Sequence, residues 1–184
     1  MHAVVADAKT HMQKAVDATK REFAGVRTGR ASPALLDRVS VDYYGVATPV
    51  TQVANVSVPE ARLLVIQPWD KALIKEIERA ILKSELGLTP STDGAVIRLP
   101  IPSLTGDRRK ELVKVVHKQA EDGRVAVRNI RRDHREKLER LEKAGDLSKD
   151  DARRYQDELQ KVTDQYIKEI DTLLAAKEKE ITEV

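Results

Sequence analysis

Hydrophobic residues recur at steps of three and four near both ends of the chain, which is the spacing of amphipathic helices. The first stretch predicts one helix that ends near Gly29, because glycine suits a left-handed C-cap. The second stretch predicts two helices, since Ala144-Gly145-Asp146 interrupts the pattern and Ser148 then offers an N-cap. The predicted inward positions are Val5, Ala8, Met12, Ala15, Thr19 and Val26 in the first helix, with Val16 and Phe23 beside them, Leu112, Val116, Ala120, Val127, Ile130, His134, Leu138 and Leu141 in the second, and Ala152, Tyr155, Leu159, Val162, Tyr166, Ile170, Leu173 and Ile181 in the third.

The middle of the chain has a different pattern. All seven prolines lie between Pro33 and Pro102, and proline breaks helix interiors. Apolar and polar residues alternate over residues 38–43 and 53–58, which predicts half-buried strands, and residues 63–66 predict a short buried one. The remaining predicted elements are a helix capped by Asp70 that runs to Leu86, with Gly87 as its C-cap, and a last strand over residues 95–99.

This order of elements predicts an α+β protein whose helical domain is discontinuous in sequence. Residues 1–30 and 105–184 are expected to form an elongated antiparallel three-helix bundle, and residues 31–104 an inserted small β/α/β domain. The apolar stripes often hold two residues per turn, as in a globular bundle rather than a two-stranded coiled-coil seam. We therefore expect a monomer whose bundle is sealed within one chain.

The composition limits both the cellular compartment and the kinds of functional site that the protein can have. Cysteine is absent, which excludes disulfides, thiolate metal sites and cysteine nucleophiles, and fits a reducing compartment. No apolar run approaches the ~20 residues that a membrane-spanning helix needs. The N-terminus lacks the basic-then-apolar layout of a signal peptide. These features predict a cytoplasmic protein with no membrane association.

The sequence offers little support for an enzyme. Its four histidines, His2, His11, His117 and His134, show no HExxH or other metal-ligand spacing, and no phosphate-binding glycine motif is present. His134 falls on an apolar stripe, where a hydrogen-bonded core histidine is the favoured interpretation. We therefore expect no catalytic residues, no metal site and no cofactor.

Charge is distributed unevenly over the last two predicted helices. Residues 107–140 hold twelve Lys and Arg against seven Asp and Glu, whereas residues 141–184 hold eight against twelve. One interpretation is that these neighbouring helices simply complement each other.

A row of arginines favours a second interpretation. Arg124, Arg128, Arg131 and Arg135 follow steps of four, three and four, and therefore share one helix face about a quarter-turn from the apolar stripe. Arg132 points farther out, nearly opposite the core. Arginine suits bidentate recognition of phosphate. The chain has only six aromatic residues for stacking on bases, so the row predicts binding to a folded, double-helical RNA backbone.

Four motifs, taken in order, resemble the ribosome recycling factor family over essentially the whole chain. They are Arg27-Thr28-Gly29-Arg30-Ala31-Ser32-Pro33, Tyr43-Tyr44-Gly45, Ser84-Glu85-Leu86-Gly87-Leu88-Thr89-Pro90 and Val125-Ala126-Val127-Arg128-Asn129-Ile130-Arg131-Arg132-Asp133.

The resemblance implies an L-shaped, two-domain translation factor. Members of the family act with elongation factor G, a GTPase, to split ribosomes left on messenger RNA after termination. Their bundle lies between the subunits and contacts large-subunit ribosomal RNA. The resemblance implies that Arg132 is the main RNA contact, with Arg128 and Arg131 beside it.

Three positions depart from the family pattern. Gly106-Asp107 stands where two acidic residues are usual, and Ser103 stands where a second proline is usual. Gly123 lies inside a predicted helix, at a cost of about 1 kcal/mol relative to alanine. None of these changes removes an implied RNA contact.

Two other classes of function compete with a ribosome-binding factor. The first is a structural or adaptor coiled coil, which would be an obligate dimer. The second is a hydrolase or transferase with an unrecognised site in residues 31–104, a nearly neutral segment that contains no histidine.

The two crossings between the predicted domains have hinge-like sequences. They are Arg30-Ala31-Ser32-Pro33 and Ser103-Leu104-Thr105-Gly106. Both crossings are short and carry small or turn-forming residues, which predicts rigid-body motion of the domains about them. A fixed elbow, with Leu35 and Leu104 in one continuous core, is the alternative.

Overall fold

The computed structural model describes residues 2–183. Contacts divide these residues into two compact units, one of residues 2–27 and 106–183 and the other of residues 28–105. In chain order the elements are α1 (Ala3–Gly25), β1 (Ser40–Tyr43), β2 (Val46–Pro49), α2 (Val50–Val53), β3 (Ala54–Glu60), β4 (Leu63–Pro68), α3 (Ile74–Lys83), β5 (Ser91–Asp93), β6 (Val96–Pro100), α4 (Gly106–Lys143) and α5 (Lys149–Thr182), with short 3-10 helices at Pro33–Leu36 and Lys71–Leu73.

The first unit is a bundle in which α1, α4 and α5 pack against one another. Most of the predicted inward positions are buried, which confirms the helical patterns. On α5 the buried face is shifted slightly, since Thr163 and Leu174 are buried while their neighbours Val162 and Leu173 are only half-buried. The other predicted inward residues that are only half-buried are Ala15, Val26, Ile130, Leu141 and Tyr155.

Gly123 on α4 lies in close contact with both α1 and α5. A Cβ atom there would overlap the Oγ1 atom of Thr19 on α1 and lie 3.3 Å from Cδ1 of Ile170 on α5. The sequence presents this glycine only as a loss of helix propensity. The structure shows that it is also a packing requirement, because a Cβ atom would force the side chain of Thr19 to shift and would crowd that of Ile170.

The ends of the long helices follow local chemistry. Ser148 is the N-cap of α5, as predicted, and its Oγ accepts a hydrogen bond from the backbone nitrogen of Asp151 at 3.1 Å. The break before it occupies residues 144–148, so the two long helices have 38 and 34 residues. Helix α1 ends at Gly25, slightly before the predicted position, because Val26 adopts an extended conformation.

The second unit is built on a four-stranded antiparallel sheet with the order β3-β4-β6-β5 and a separate hairpin, β1-β2. The hairpin turns at Tyr44-Gly45, where both residues have positive φ and the carboxylate of Asp42 accepts from the nitrogen of Gly45 at 2.7 Å. Alternate residues of β4 and β6 are buried against α3 and form the core of this unit. The largest fully buried side chains of this core are Leu36, Leu64, Ile66, Ile77, Ile81, Ile97 and Leu99.

Some of the predicted bounds in this unit are wrong. Asp70 caps a 3-10 turn, and the α-helix that follows it ends at Lys83 rather than at Leu86. Ser84 ends α3, because its backbone turns extended and its hydroxyl donates to the carbonyl of Ile81 at 2.5 Å. Gly87 has a φ of +65° but lies beyond the helix, so it is not the C-cap. The pattern also missed β2, α2 and β5, which have only three or four residues each.

Candidate nucleic-acid interface

The arginines predicted to bind RNA all lie on α4, outside its packed face. Val127, His134 and Leu138 are buried in the bundle. Residues three or four positions apart share a helix face, so the buried set fixes the direction of the remaining positions. Three of the arginines, Arg128, Arg132 and Arg135, are exposed, and two, Arg124 and Arg131, are half-buried.

Arg124 is committed to contacts within the bundle, and its side chain is only 19% exposed. Its Nη2 and Nε atoms lie 2.6 and 2.7 Å from Oδ1 of Asp171 on α5, and its Nη1 lies 3.0 Å from Oε2 of Glu121. Burial by itself would lower the pKa of this guanidinium, but the hydrogen bonds with Asp171 and Glu121 outweigh it and raise the pKa. Arg124 therefore ties α4 to α5.

Glu121 links two members of the row. Its Oε1 accepts a hydrogen bond from Nη1 of Arg128 at 3.0 Å, and its Oε2 accepts one from Nη1 of Arg124. Hydrogen bonds from Arg124 and then from Arg128 lower the pKa of the Glu121 carboxyl. Arg131 donates from Nη1 to the side-chain oxygen of Gln160 on α5 at 3.3 Å. Arg128 and Arg131 are thus oriented by neighbouring side chains, and the hydrogen-bond partner of Arg131 is a neutral amide rather than a carboxylate.

Arg132 is held least tightly. Its side chain is 66% exposed, and its Nε lies 4.0 Å from the carboxylate of Asp133, the limit of an ion pair. Arg135 is 62% exposed and pairs with Glu139 on its own helix at 3.1 Å. A phosphate group could therefore reach Arg132 without first breaking a short ion pair.

The two interpretations of the charge pattern apply to different ends of the arginine row. Complementary charges do join the helices at Arg124–Asp171, and Nε2 of His117 on α4 also lies 3.1 Å from Oε2 of Glu178 on α5. At the other end, Arg132 and Arg135 have ion-pair partners on α4 itself. Complementarity between helices therefore accounts for Arg124, whereas Arg132 and Arg135 present donors that suit phosphate oxygens.

The predicted hinge segments pack within the second unit. The nitrogen of Ala31 donates to the carbonyl of Ala61 at 2.8 Å, and Ser32 caps the 3-10 helix that starts at Pro33. Gly29 has a φ of +76°, and a Cβ atom there would lie 3.2 Å from Cγ of Leu104. The chain passes between the units at residues 27–28 and 105–106, so most of both segments belongs to the smaller unit. Arg30 is exposed, as are Ser103 and Thr105.

His134 is a hydrogen-bonded core histidine, as the sequence predicts. Its Nδ1 lies 2.7 Å from the carbonyl oxygen of Ile130, and its Nε2 lies 2.8 Å from Oδ2 of Asp7 on α1. The hydrogen bond with His134, helped by Lys137, holds the pKa of the Asp7 carboxyl below its usual range. Local patterns in the sequence do not indicate this contact, because the two residues are 127 positions apart.

Comparison with known proteins identifies the chain. The family model described as ribosome recycling factor matches residues 19–182. The ribosome-recycling factor of Desulforamulus reducens is 60% identical over 181 residues, which are 98% of each protein. That of Geobacillus kaustophilus is 59% identical over the same share of both chains. The chain belongs to the ribosome recycling factor family.

Solved structures of the family agree with the fold. A solution structure of a ribosome recycling factor is 46% identical, with a TM-score of 0.76, and the match covers 98% of this chain and 96% of that one. A second structure, at 47% identity and a TM-score of 0.66, covers 97% and 96% of the two chains. It comprises models for the T. thermophilus ribosome recycling factor and the E. coli elongation factor G bound to the E. coli post-termination complex.

Membership of the family agrees with the resemblance carried by the four motifs, and with the α+β fold built from a helical bundle and a small sheet domain. The names of these relatives are those of a translation factor and state no enzymatic activity. Within residues 2–183, none of the helices is both long and apolar enough to cross a membrane.

Proposed function

We propose that this protein binds the post-termination ribosome and, with elongation factor G and GTP, separates the subunits and releases them from messenger RNA. Support comes from its membership of the ribosome recycling factor family, and from the relative that is bound with elongation factor G to a post-termination complex. The factor acts in the cytoplasm as a monomer and has no catalytic site of its own. GTP hydrolysis belongs to elongation factor G.

The arginine face of α4 is the proposed contact with large-subunit ribosomal RNA in the intersubunit space. The observation that carries this assignment is Arg132, which is 66% exposed and lies 4.0 Å from its only charged partner among the described ion pairs. Arg128, Arg131 and Arg135 surround it with further donors. Arg124 belongs to the sequence-predicted set, but its contacts with Asp171 and Glu121 support a role in holding α4 against α5.

A ribosome-splitting assay tests this function. Purified post-termination complexes, elongation factor G and GTP are mixed with the full chain, and light scattering follows the loss of intact ribosomes. Arg132→Ala should slow splitting at subsaturating factor, because a charge-assisted contact with RNA phosphate contributes about 1–3 kcal/mol. Arg79→Ala is the matched control, because Arg79 is also 66% exposed but lies on α3 and pairs with Glu76.

The outcomes separate the general function from the specific contact. If the parent protein leaves ribosomes intact, the function is wrong. If the parent splits ribosomes and both variants match it, the function stands and the assignment of Arg132 fails.

A dimeric coiled coil remains the principal rival. The wide buried face of each bundle helix supports a monomer, because α1, α4 and α5 already cover one another. Analytical ultracentrifugation distinguishes the two. A single species of 20.6 kDa is expected, and an obligate dimer would favour the coiled coil.

We further propose that the two units move as rigid bodies about the crossings. The predicted segments were residues 30–33 and 103–106. The hydrogen bond from Ala31 to Ala61 and the packing of Leu104 beside Gly29 support pivots nearer residues 26–28 and 105–106. At Gly106 a Cβ atom would contact nothing within 4 Å, so packing does not restrict the return crossing there.

Fluorophores at positions 60 and 140 test the motion, because both residues are exposed and they lie in different units. A broad distance distribution is expected in free solution. One narrow distance that is unchanged on ribosome binding would support a fixed elbow instead.

A further inference from the structure

Three side chains with metal-binding atoms meet at the interface of α1 and α4. Asp7 and His11 occupy successive turns of α1, and His134 lies opposite them on α4. Within residues 2–183, one ligand atom from each of the three lies within 4.8 Å of the other two. The set of two imidazoles and one carboxylate is not explained by the proposed contact with RNA, since Arg132 and its neighbours lie on another face of α4.

Backbone carbonyls orient both histidine rings through Nδ1. Nδ1 of His134 lies 2.7 Å from the carbonyl oxygen of Ile130, and Nδ1 of His11 lies 2.8 Å from the carbonyl oxygen of Asp7 and 3.3 Å from its Oδ1. A carbonyl oxygen can only accept, so each Nδ1 carries a hydrogen, and Nε2 is the atom of each ring that would bind a metal ion. Metal-binding histidines are commonly oriented by this same Nδ1–H to carbonyl contact.

The space between His134 and Asp7 requires a positive centre. Nε2 of His134 lies 2.8 Å from Oδ2 of Asp7, and two lone pairs at that distance repel unless a proton or a cation lies between or beside them. In the metal-free protein a proton on Nε2 or the ammonium of Lys137 can fill this role. A bound metal ion would satisfy the same two atoms.

We propose that Asp7, His11 and His134 bind a divalent first-row transition ion of the Zn²⁺ class. Imidazole and carboxylate ligands suit zinc, cobalt and nickel, and three protein ligands leave a position for water. At metal–ligand distances of about 2.0–2.1 Å, tetrahedral ligand atoms lie about 3.4 Å apart. The 2.8 Å contact between His134 and Asp7 therefore has to lengthen, whereas separations in the set that approach 4.8 Å have to shorten. Asp7 and His11 can move, since their side chains are 46% and 50% exposed, while His134 is fixed at 5%.

Lys137 is the competitor of the metal ion. Its Nζ lies 3.3 Å from Oδ2 of Asp7 and 3.4 Å from Nε2 of His134, so its positive charge stands beside the position of the ion. The side chain is 44% exposed and can turn into solvent, but separating it from Asp7 opposes metal binding. Removing the ammonium should therefore strengthen metal binding, whereas removal of a purely structural contact would not.

The expected consequence of binding is a link between the first turns of α1 and the C-terminal part of α4. A ligand that binds only the folded state raises stability by mass action. The protein should therefore melt at a higher temperature in the presence of the ion, and a chelator should reverse the change.

The test uses untagged, full-length protein titrated with Co²⁺ and followed by its visible absorption, with Zn²⁺ calorimetry and thermal melting in parallel. We expect one saturable site per chain. His11→Gln and Asp7→Asn should each weaken binding by more than about tenfold, and Lys137→Met should tighten it. His117→Gln is the matched control, because His117 is also 50% exposed and faces one carboxylate, Glu178, instead of two ligands.

Each result bears on the proposal. Unchanged binding in His117→Gln together with weaker binding in His11→Gln supports the site. Failure of the parent to bind at millimolar Co²⁺ or Zn²⁺ overturns it, even if Lys137→Met binds. Equal affinity of the parent and His11→Gln also overturns it, because the ion would then be bound elsewhere.

Discussion

Arg124 and Arg132 lie on one helix, eight positions apart, and the structure gives them opposite surroundings. Arg124 is 19% exposed and contacts Asp171 on α5 at 2.6 Å. Arg132 is 66% exposed and faces Asp133 at 4.0 Å. Helical periodicity identifies the face on which a charge lies, but the neighbouring helix decides whether that charge holds the bundle together or remains available to a partner.

The packed side of the bundle should show the largest effects of mutation. Leu159 is 1% exposed, so Leu159→Ala should lower the free energy of unfolding by about 2–5 kcal/mol. Ile130→Ala should cost less, because that side chain is only half-buried. Chemical denaturation measures both. An unchanged midpoint for Leu159→Ala would show that the inward face is misassigned.

A substitution at Gly123, next to Arg124, tests how closely α1 and α5 pack against α4. Gly123→Ala should lower stability by about 1 kcal/mol, since overpacking costs about 1–3 kcal/mol and the better helix propensity of alanine returns about 1 kcal/mol. Gly106→Ala is the control, because its Cβ atom would contact nothing within 4 Å.

Combining Gly123→Ala with Thr19→Ala tests whether the loss of stability has a steric cause. Thr19→Ala removes the hydroxyl that the new Cβ atom would overlap, so it should offset part of the Gly123→Ala loss. Additive losses in the double variant would contradict the steric account.

Replacing Arg124 or Arg132 by alanine should affect the free energy of unfolding to different extents. Arg124→Ala should lower the free energy of unfolding by about 1 kcal/mol, the upper end for an ion pair near the surface. Arg132→Ala should change it by less than about 0.5 kcal/mol, as is usual for exposed positions. Equal losses of unfolding free energy in the two variants would show that the contacts of Arg124 do not stabilise the packing of α4 against α5.

Low pH should slightly reduce the stabilisation that Glu121 provides through its contacts with Arg124 and Arg128. The pKa of Glu121 is lowered in the folded protein by Arg124 and Arg128, so its stabilising contribution is present above the unfolded pKa of about 4.3. That contribution disappears as the pH falls through the lower, folded value. The stability difference between the parent and Glu121→Gln should therefore narrow below about pH 4. A difference that stays constant from pH 7 to pH 3 would contradict this linkage.

The long elements could be predicted from the sequence because each repeats its signal over many residues. The three bundle helices, the N-cap at Ser148 and the strands around Leu64 and Ile97 all follow from apolar spacing and capping chemistry. Short elements such as β5, whose residues are all exposed, carry no such pattern. The end of α3 depends on a single hydroxyl contact of Ser84, which propensity does not reveal.

The candidate site could be predicted in part. Spacing places Arg124, Arg128, Arg131 and Arg135 on one face of α4 and Arg132 farther from the core, and the motif resemblance singles out Arg132. The partner of Arg124 lies 47 positions away, and that of His134 lies 127 away, so neither contact leaves a trace in local sequence. Gly123 likewise looks like a local defect until the positions of Thr19 and Ile170 are known.

The central claim is that Arg132 is available to ribosomal RNA while Arg124 is committed to the bundle. The most direct test measures ribosome affinity of the parent, Arg124→Ala and Arg132→Ala at several salt concentrations. Arg132→Ala should weaken binding by about 1–3 kcal/mol and should reduce the salt dependence, because one fewer phosphate is neutralised. Arg124→Ala should leave both nearly unchanged. Parent-like affinity for Arg132→Ala at every salt concentration, or an equal loss for the two variants, would contradict the account.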